Sequence, residues 1–267
     1  SNYRAGVNAG NSIASGGNYN VCVGDEAGTA INTGDNNVAV GFDAGKASTT
    51  AAQNVLIGSG AGDSGTTFYN NVAIGYLALS ADTLGSNNVA IGKAALAVQN
   101  FTSSTDANNV AIGSNAGAAV TTATQNTFIG GLSGDAFTDG AANTALGFET
   151  LTADTKGNNA VALGHHALST QNFTTTTASY NVAVGSQAGL SVTTGINNTL
   201  IGGLAGDALT DADYNTAVGF GALTTDVLGS RSVAVGFEAL KTQSRDSAAN
   251  MLNVGVGFNA GTAITTG

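Results

Sequence analysis

Proline and tryptophan are missing from all 267 residues, and cysteine and methionine occur once each. Without proline a collagen-type triple helix is excluded. The single Cys22 excludes an intrachain disulfide and leaves the redox compartment open. Charge is scarce as well, at 9 % of residues against about 25 % in a typical soluble domain. Seven basic residues against seventeen acidic ones give a net charge of −10. No basic stripe exists to hold a nucleic-acid backbone or an anionic membrane surface, so neither is expected as a partner. No apolar run approaches the ~18 residues of a membrane-spanning helix, and no secretory signal opens the chain. Aromatics, at 6 %, are few for an enzyme core. The only methionine is Met251, so the chain is expected to be a segment of something longer.

What is present is small and uncharged. Glycine supplies 39 residues, about twice the usual ~7 %, while 42 % hydrophobic content is too high for a disordered linker. Such a composition calls for a search for internal repeats. The motif Asn-(Val/Thr)-Ala-(Val/Ile/Leu)-Gly-x-x-Ala-(Gly/Leu) recurs, most clearly at Asn37–Gly45, Asn71–Leu79 and Asn109–Gly117. Its central glycine anchors fifteen copies: Gly6, Gly24, Gly41, Gly58, Gly75, Gly92, Gly113, Gly130, Gly147, Gly164, Gly185, Gly202, Gly219, Gly236 and Gly257. The first step is 18 residues and all later ones are 17 or 21. From Gly41 the steps run 17, 17, 17, 21 and repeat, giving 72-residue superrepeats at 41–112, 113–184 and 185–256. Four residues after the anchor the identity follows the same cycle: Gly45, Gly62, Leu79, Leu96, then Gly117, Gly134, Leu151, Leu168, then Gly189, Gly206, Leu223, Leu240. We read this as duplication in blocks of four coils.

A 17-residue unit is too short for a helical repeat and suits one turn of a parallel β-solenoid, two short strands joined by two bends. The whole chain, 1–267, is expected to form one repetitive all-β domain of about fifteen coils. Val38 and Val40 alternate with Ala39 at strand period. The residue before the anchor is Val, Ile or Leu in all copies but Ala5, and is expected to face a continuous apolar stack, coil upon coil. The intervening alanine keeps the opposite face small, as needed where another sheet or another subunit packs closely. The anchor glycine is expected to adopt positive φ or to admit a neighbouring backbone. Four residues before it, Asn recurs in thirteen copies, with Ala160 and Ser232 departing. It is expected to mark a bend and to stack into an Asn ladder at the ~4.8 Å rung spacing. Proline would delete a rung hydrogen bond at almost any position, which accounts for its absence. So slender a coil buries little by itself, and association of several chains is the natural remedy. Fifteen rungs at ~4.8 Å would make a rod of roughly 70 Å.

The strings NNVAIG at Asn70–Gly75, Asn87–Gly92 and Asn108–Gly113, with NNVAVG at Asn36–Gly41, resemble the head repeats of YadA-like trimeric autotransporter adhesins. NTAVG at Asn215–Gly219 is similar to strings in bacteriophage tail-fibre proteins. The resemblance runs in phase along essentially the whole chain. It implies a left-handed β-roll assembled as a side-by-side homotrimer about a threefold axis. It also implies an extracellular place, on a virion tail fibre or a bacterial cell surface. The adhesin repeat is usually shorter, so the extra residues here must enlarge a bend.

Chemical signatures are weak. His165 and His166 are the only histidines; on a strand such neighbours would point to opposite faces, which disfavours chelation, and they are read as bend residues at one coil. Asp63, Asp135 and Asp207 recur at 72-residue spacing, as do Asp82, Asp154 and Asp226; caps on bends explain them better than a calcium site. No nucleophile with base and orienter recurs, and no phosphate-binding loop is present. We expect no enzyme, cofactor or metal. Every fourth coil carries a four-residue insertion, within 97–108, 169–180 and 241–252. Asn100, Phe101, Asn172 and Phe173 in these loops are the candidate contacts for a host receptor or surface polysaccharide. The competing reading packs the two phenylalanines inward.

Four functions follow in order. The first is a rigid trimeric fibre or adhesin segment that mediates attachment. The second is a self-assembling extracellular filament. An ice- or glycan-binding solenoid is third, weakened because Thr121-Thr122, Thr174–Thr177 and Thr193-Thr194 fall at irregular places in the bends. A carbohydrate-cleaving fibre is the remote fourth.

Overall fold

The computed structural model of the chain describes residues 1–245 and 247–266; Asp246, inside the third insertion, and Gly267 lie outside the described residues. The protein is all-β, with no helix among the described residues, and forms a parallel β-solenoid. Two compact units divide it, Ser1–Asp139 and Gly140–Gly267. The first carries eight coil strands of three residues and the second carries seven. Within each unit the strands pair in parallel with the register that the repeat dictates, for example Val38↔Val55, Ala39↔Leu56 and Val40↔Ile57.

Each coil holds one regular strand rather than the expected two. The other side of the coil is a run of turns, because three overlapping four-residue turns follow the anchor. In the coil of Gly24, Ala27 N–H donates to Gly24 O, Thr29 N–H to Glu26 O, and Ile31 N–H to Gly28 O. The residues two and four places after the anchor are left-handed, as at Glu26 (φ 61°) and Gly28 (φ 57°). This alternation turns the remaining amides along the stack: Glu26 N–H donates to Val7 O of the preceding coil, and Gly28 N–H to Ala44 O of the next. The turns are therefore laddered without being strands. Among the described residues a second strand pair forms only beside the insertions, and a single bridge joins Ala52 to Tyr69 elsewhere. In the first unit Gly85–Ser86 pairs with Thr105–Asp106; in the second, Gly157–Asn158 pairs with Thr177–Ala178 and Gly229–Ser230 with Ala249–Asn250.

The anchor glycine meets both conditions anticipated for it. Gly41 has φ 133°, and a Cβ there would lie 2.7 Å from the carbonyl of Gly58 in the next coil. No other residue satisfies both the torsion and the approach.

Of the two faces of the strand, the small one is the inner. The middle residue is the buried one, as at Ala39, Ala73 and Ala90, while Val38, Val40, Val72, Ile74, Val89 and Ile91 stand on the outer face, half-buried. Volume is the reason. The interior of so small a coil accepts a methyl group across from the turn, and the branched side chains shelter one another in columns along the outside. A large residue sits at the strand centre in one coil of each superrepeat, Leu56, Phe128 or Leu200, all buried. There the turn residue four after the anchor is glycine, since a Cβ on Gly45 or Gly62 would lie 2.7 Å from Leu56, and one on Gly134 2.5 Å from Phe128. Where the strand centre is alanine in the third and fourth coils, leucine fills the same turn position. Leu79, Leu96, Leu151, Leu168, Leu223 and Leu240 are buried at left-handed φ of 48–54°. Each accepts backbone strain of ~1 kcal/mol or more to supply the missing volume.

The Asn column is an interior ladder, as anticipated, but its residues are not the left-handed ones. That conformation belongs to the preceding residue, as at Asn36, Asn70 and Asn87 (φ 57–62°). Asn37 is buried; its backbone N–H donates to Asn20 Oδ1 at 3.0 Å and its Nδ2 to the carbonyl of Ala51 at 2.7 Å. Asn54, Asn71 and Asn88 continue the same bonds coil by coil. Ser232 departs from the pattern, and Gln243 Nε2 donates to its hydroxyl at 3.0 Å.

Candidate functional surfaces

Two kinds of surface stand out: the loops at the 21-residue coils and the outer sheet face. The loops are fastened from within. Asp82 is fully buried; its Oδ1 accepts from Gly85 N–H at 2.9 Å and its Oδ2 from Gln99 Nε2 at 2.6 Å. Gln99 Oε1 in turn accepts from Asn109 Nδ2 at 2.8 Å, tying the loop to the Asn ladder. Asp154, Gln171 and Asn181 repeat the arrangement at 2.9, 2.6 and 2.8 Å. Asp226, Gln243 and Asn253 repeat it again. Burial pushes the Asp82 and Asp154 carboxyls above the usual carboxylate range, and the donated hydrogen bonds partly offset this. These recurrent aspartates are bend caps. Asp63 and Asp207, half-buried on the turn side, are also raised by desolvation.

Phe101 and Phe173 do not project. Each is 6 % exposed and folded inward. Asn100 and Asn172 are exposed at the rim beside them, followed by the open tips Thr102–Ser104 and Thr174–Thr176. The third loop has Ser244 and Arg245 in place of Asn and Phe, and Arg245 donates to the Thr266 carbonyl at 3.0 Å.

His165 and His166 lie in the turn after the anchor, as bend residues, and their rings touch, with centroids 4.0 Å apart. His166 Nε2 is 3.1 Å from Glu149 Oε2, and Phe148 stacks on His165 at 6.0 Å. No group of three or more His, Cys, Asp or Glu side chains among the described residues is placed to hold a metal ion. The threonines are more regular than the sequence reading allowed. Eight residues after the anchor stand Thr49, Thr66, Thr83, Thr121 and Thr138 in the first unit, and Thr155, Thr193 and Thr210 in the second. Thr49, Thr66, Thr121 and Thr210 donate their hydroxyls to a carbonyl of the next coil at 3.0–3.2 Å, so these groups serve the stack rather than an external lattice.

The outer sheet face went unrecognised in the sequence. Its thirty positions, two per coil strand, hold 24 Val, Ile or Leu residues and no charge, so a wide apolar strip runs up each unit. Leu146 and Ile201 on it are 45 % and 39 % exposed. In the second unit, rings just beyond the anchor extend the strip. Phe220, Phe237 and Phe258 stack in parallel at 5.7 and 5.2 Å and are 42–75 % exposed. The uniform alternation of branched and small residues is its signal in the sequence. No protein-family model, curated protein or solved structure matches the chain.

Proposed function

We propose that the chain is a segment of a structural and adhesive fibre, a stiff left-handed β-roll that assembles side by side with two further copies of itself. Attachment to a host or surface is its purpose, on a phage tail fibre or as a bacterial surface adhesin. The observation that carries this reading is the uncharged strip of Val, Ile and Leu on the outer sheet face. An exposed apolar surface of that continuity is the mark of an interface. A second copy is the occupant that fits, because it alone carries the same corrugation at the same rung spacing. The resemblance to adhesin head repeats and to tail-fibre strings supports the threefold arrangement.

The test is the mass of the protein in solution, measured by light scattering or sedimentation. A particle of three times 26.0 kDa is expected. Val89→Lys with Ile91→Lys, placing charge on the strip, should dissociate it. A monodisperse monomer or a dimer of the unaltered chain would overturn the trimeric fibre.

A further inference from the structure

Asn100-Phe101-Thr102 and Asn172-Phe173-Thr174 match the acceptor pattern for N-linked sugar transfer, Asn followed two places later by Thr with no proline between. In a chain so rich in Asn and Thr the pattern means little without its setting. The ladder asparagines are buried, and their amides are committed to neighbouring coils, as with Asn37 and Asn71. Asn100 is exposed instead. Its backbone N–H donates to the Thr121 carbonyl at 2.9 Å, and the inward Phe101 ring fixes it at the rim of the coil. Its Oδ1 accepts from Thr83 Oγ1 at 2.9 Å, while its Nδ2 donates to none of the described residues. Asn172 reproduces each feature: the Thr193 carbonyl at 2.9 Å, inward Phe173, Thr155 Oγ1 at 3.1 Å, and an uncommitted Nδ2. Thr102 and Thr174 are exposed too.

A third triplet, Asn197-Asn198-Thr199, has the pattern without the setting. Asn197 is half-buried, Asn198 is a ladder residue, and Thr199 opens the strand Thr199–Ile201. The third loop lost the acceptor, with Ser244-Arg245 at the equivalent places.

We infer that Asn100 and Asn172 are N-glycosylation sites, two acceptors at equivalent positions of successive superrepeats. The donor is a sugar activated as a diphosphate, nucleotide-linked or lipid-linked. In the transfer Nδ2 forms a bond to the sugar C1 while the C1–O bond to the diphosphate breaks. The diphosphate leaves with the electron pair, and Nδ2 gives up one proton to the transferase. The Oδ1 bond to the threonine hydroxyl and the buried phenylalanine are untouched, so the folded coil carries the glycan without rearrangement. This inference does not depend on the trimeric reading.

Peptide mapping by mass spectrometry of the full chain isolated from its native source tests it. Sugar increments are expected on the peptides containing Asn100 and Asn172, and none at Asn197. A one-sugar increment marks a nucleotide-linked donor and a multi-sugar increment a lipid-linked one. Asn100→Gln and Asn172→Gln should each remove one increment and leave the circular dichroism spectrum unchanged. Unmodified peptides at both positions, or sugar at Asn197 alone, would overturn it. Particle mass from the same sample shows separately whether the fibre reading stands.

Discussion

Neighbouring coils of one superrepeat solve the same packing problem in opposite ways. In the second coil bulk comes from the strand, through Leu56, Phe128 or Leu200, and the turns on either side are glycine. In the third coil the strand contributes only Ala73, Ala145 or Ala217, and Leu79, Leu151 or Leu223 fills the space from a strained turn. Interior volume is conserved while its origin moves across the coil. The bends diverge as well. Seven residues after the anchor the second coil has Gly65, Phe137 or Leu209, and the third has the buried Asp82, Asp154 or Asp226. Gly65 is itself matched to a partner, since Phe68 lies against it and fills the place that Phe137 supplies one superrepeat later.

The largest effect should come from emptying a second coil. Phe128→Ala removes a fully buried ring that packs on Phe137 at a centroid distance of 5.1 Å, and should cost about 3–5 kcal/mol in chemical denaturation. A loss under ~1 kcal/mol would mean that the coil collapses around the gap and that volume is not conserved.

Filling both sides at once should cost less. Gly62→Leu adds bulk against Leu56 and Phe68 and requires a side chain at φ 56°, for a penalty of about 2–4 kcal/mol. Combined with Leu56→Ala it recreates a third-coil arrangement in the second coil. The double variant should recover at least ~1 kcal/mol relative to the sum of the single changes. Strict additivity would show that the two positions do not compensate.

The smallest effect is one of acidity and belongs to the third coil. Asp82 and Asp154 hold their protons more readily in the folded chain than the ~3.9 of an unfolded aspartate. The stability they add is complete below that value and is lost as pH rises through their elevated folded values. The denaturation midpoint should therefore be higher at pH 4.5 than at pH 7.5, and Asp82→Asn should reduce the difference. A midpoint that falls on acidification would contradict the desolvation of these carboxyls.

Much of this organisation was legible in the residues. The coil count, the anchor glycine, the Asn ladder and the bend-capping role of Asp82, Asp154 and Asp226 all follow from spacing and backbone chemistry. The interior did not follow, because hydrophobicity ranks Val40 above Ala39 and says nothing of how little space a 17-residue coil encloses. The clue lay in the anticorrelation of Leu56 with Gly45 and Gly62, visible only once the two positions are known to touch. Of the loop residues, Asn100 and Asn172 reach the surface and Phe101 and Phe173 do not. The inward reading of the rings, open to the sequence, is the one that holds, and Gly85 leaves room beside Phe101, where a Cβ would lie 2.8 Å from the ring. The recurrence of threonine is harder to read, because it stands eight residues after the anchor, outside the repeated motif.

The alternation of bulk also works as a vernier during folding. Coils so alike invite a chain to skip one and dock the next in its place. Gly117 stands between Leu96 of the coil before it and Phe128 of the coil after it, and a Cβ on it would lie 3.0 Å from each. If that coil looped out, Leu96 would be driven against Phe128, and the mistake would be penalised where it occurs. The third and fourth coils share alanine at the strand centre and leucine at the turn, so between those two the distinction falls to their bends, where Gln99 of the fourth donates to the buried Asp82 of the third.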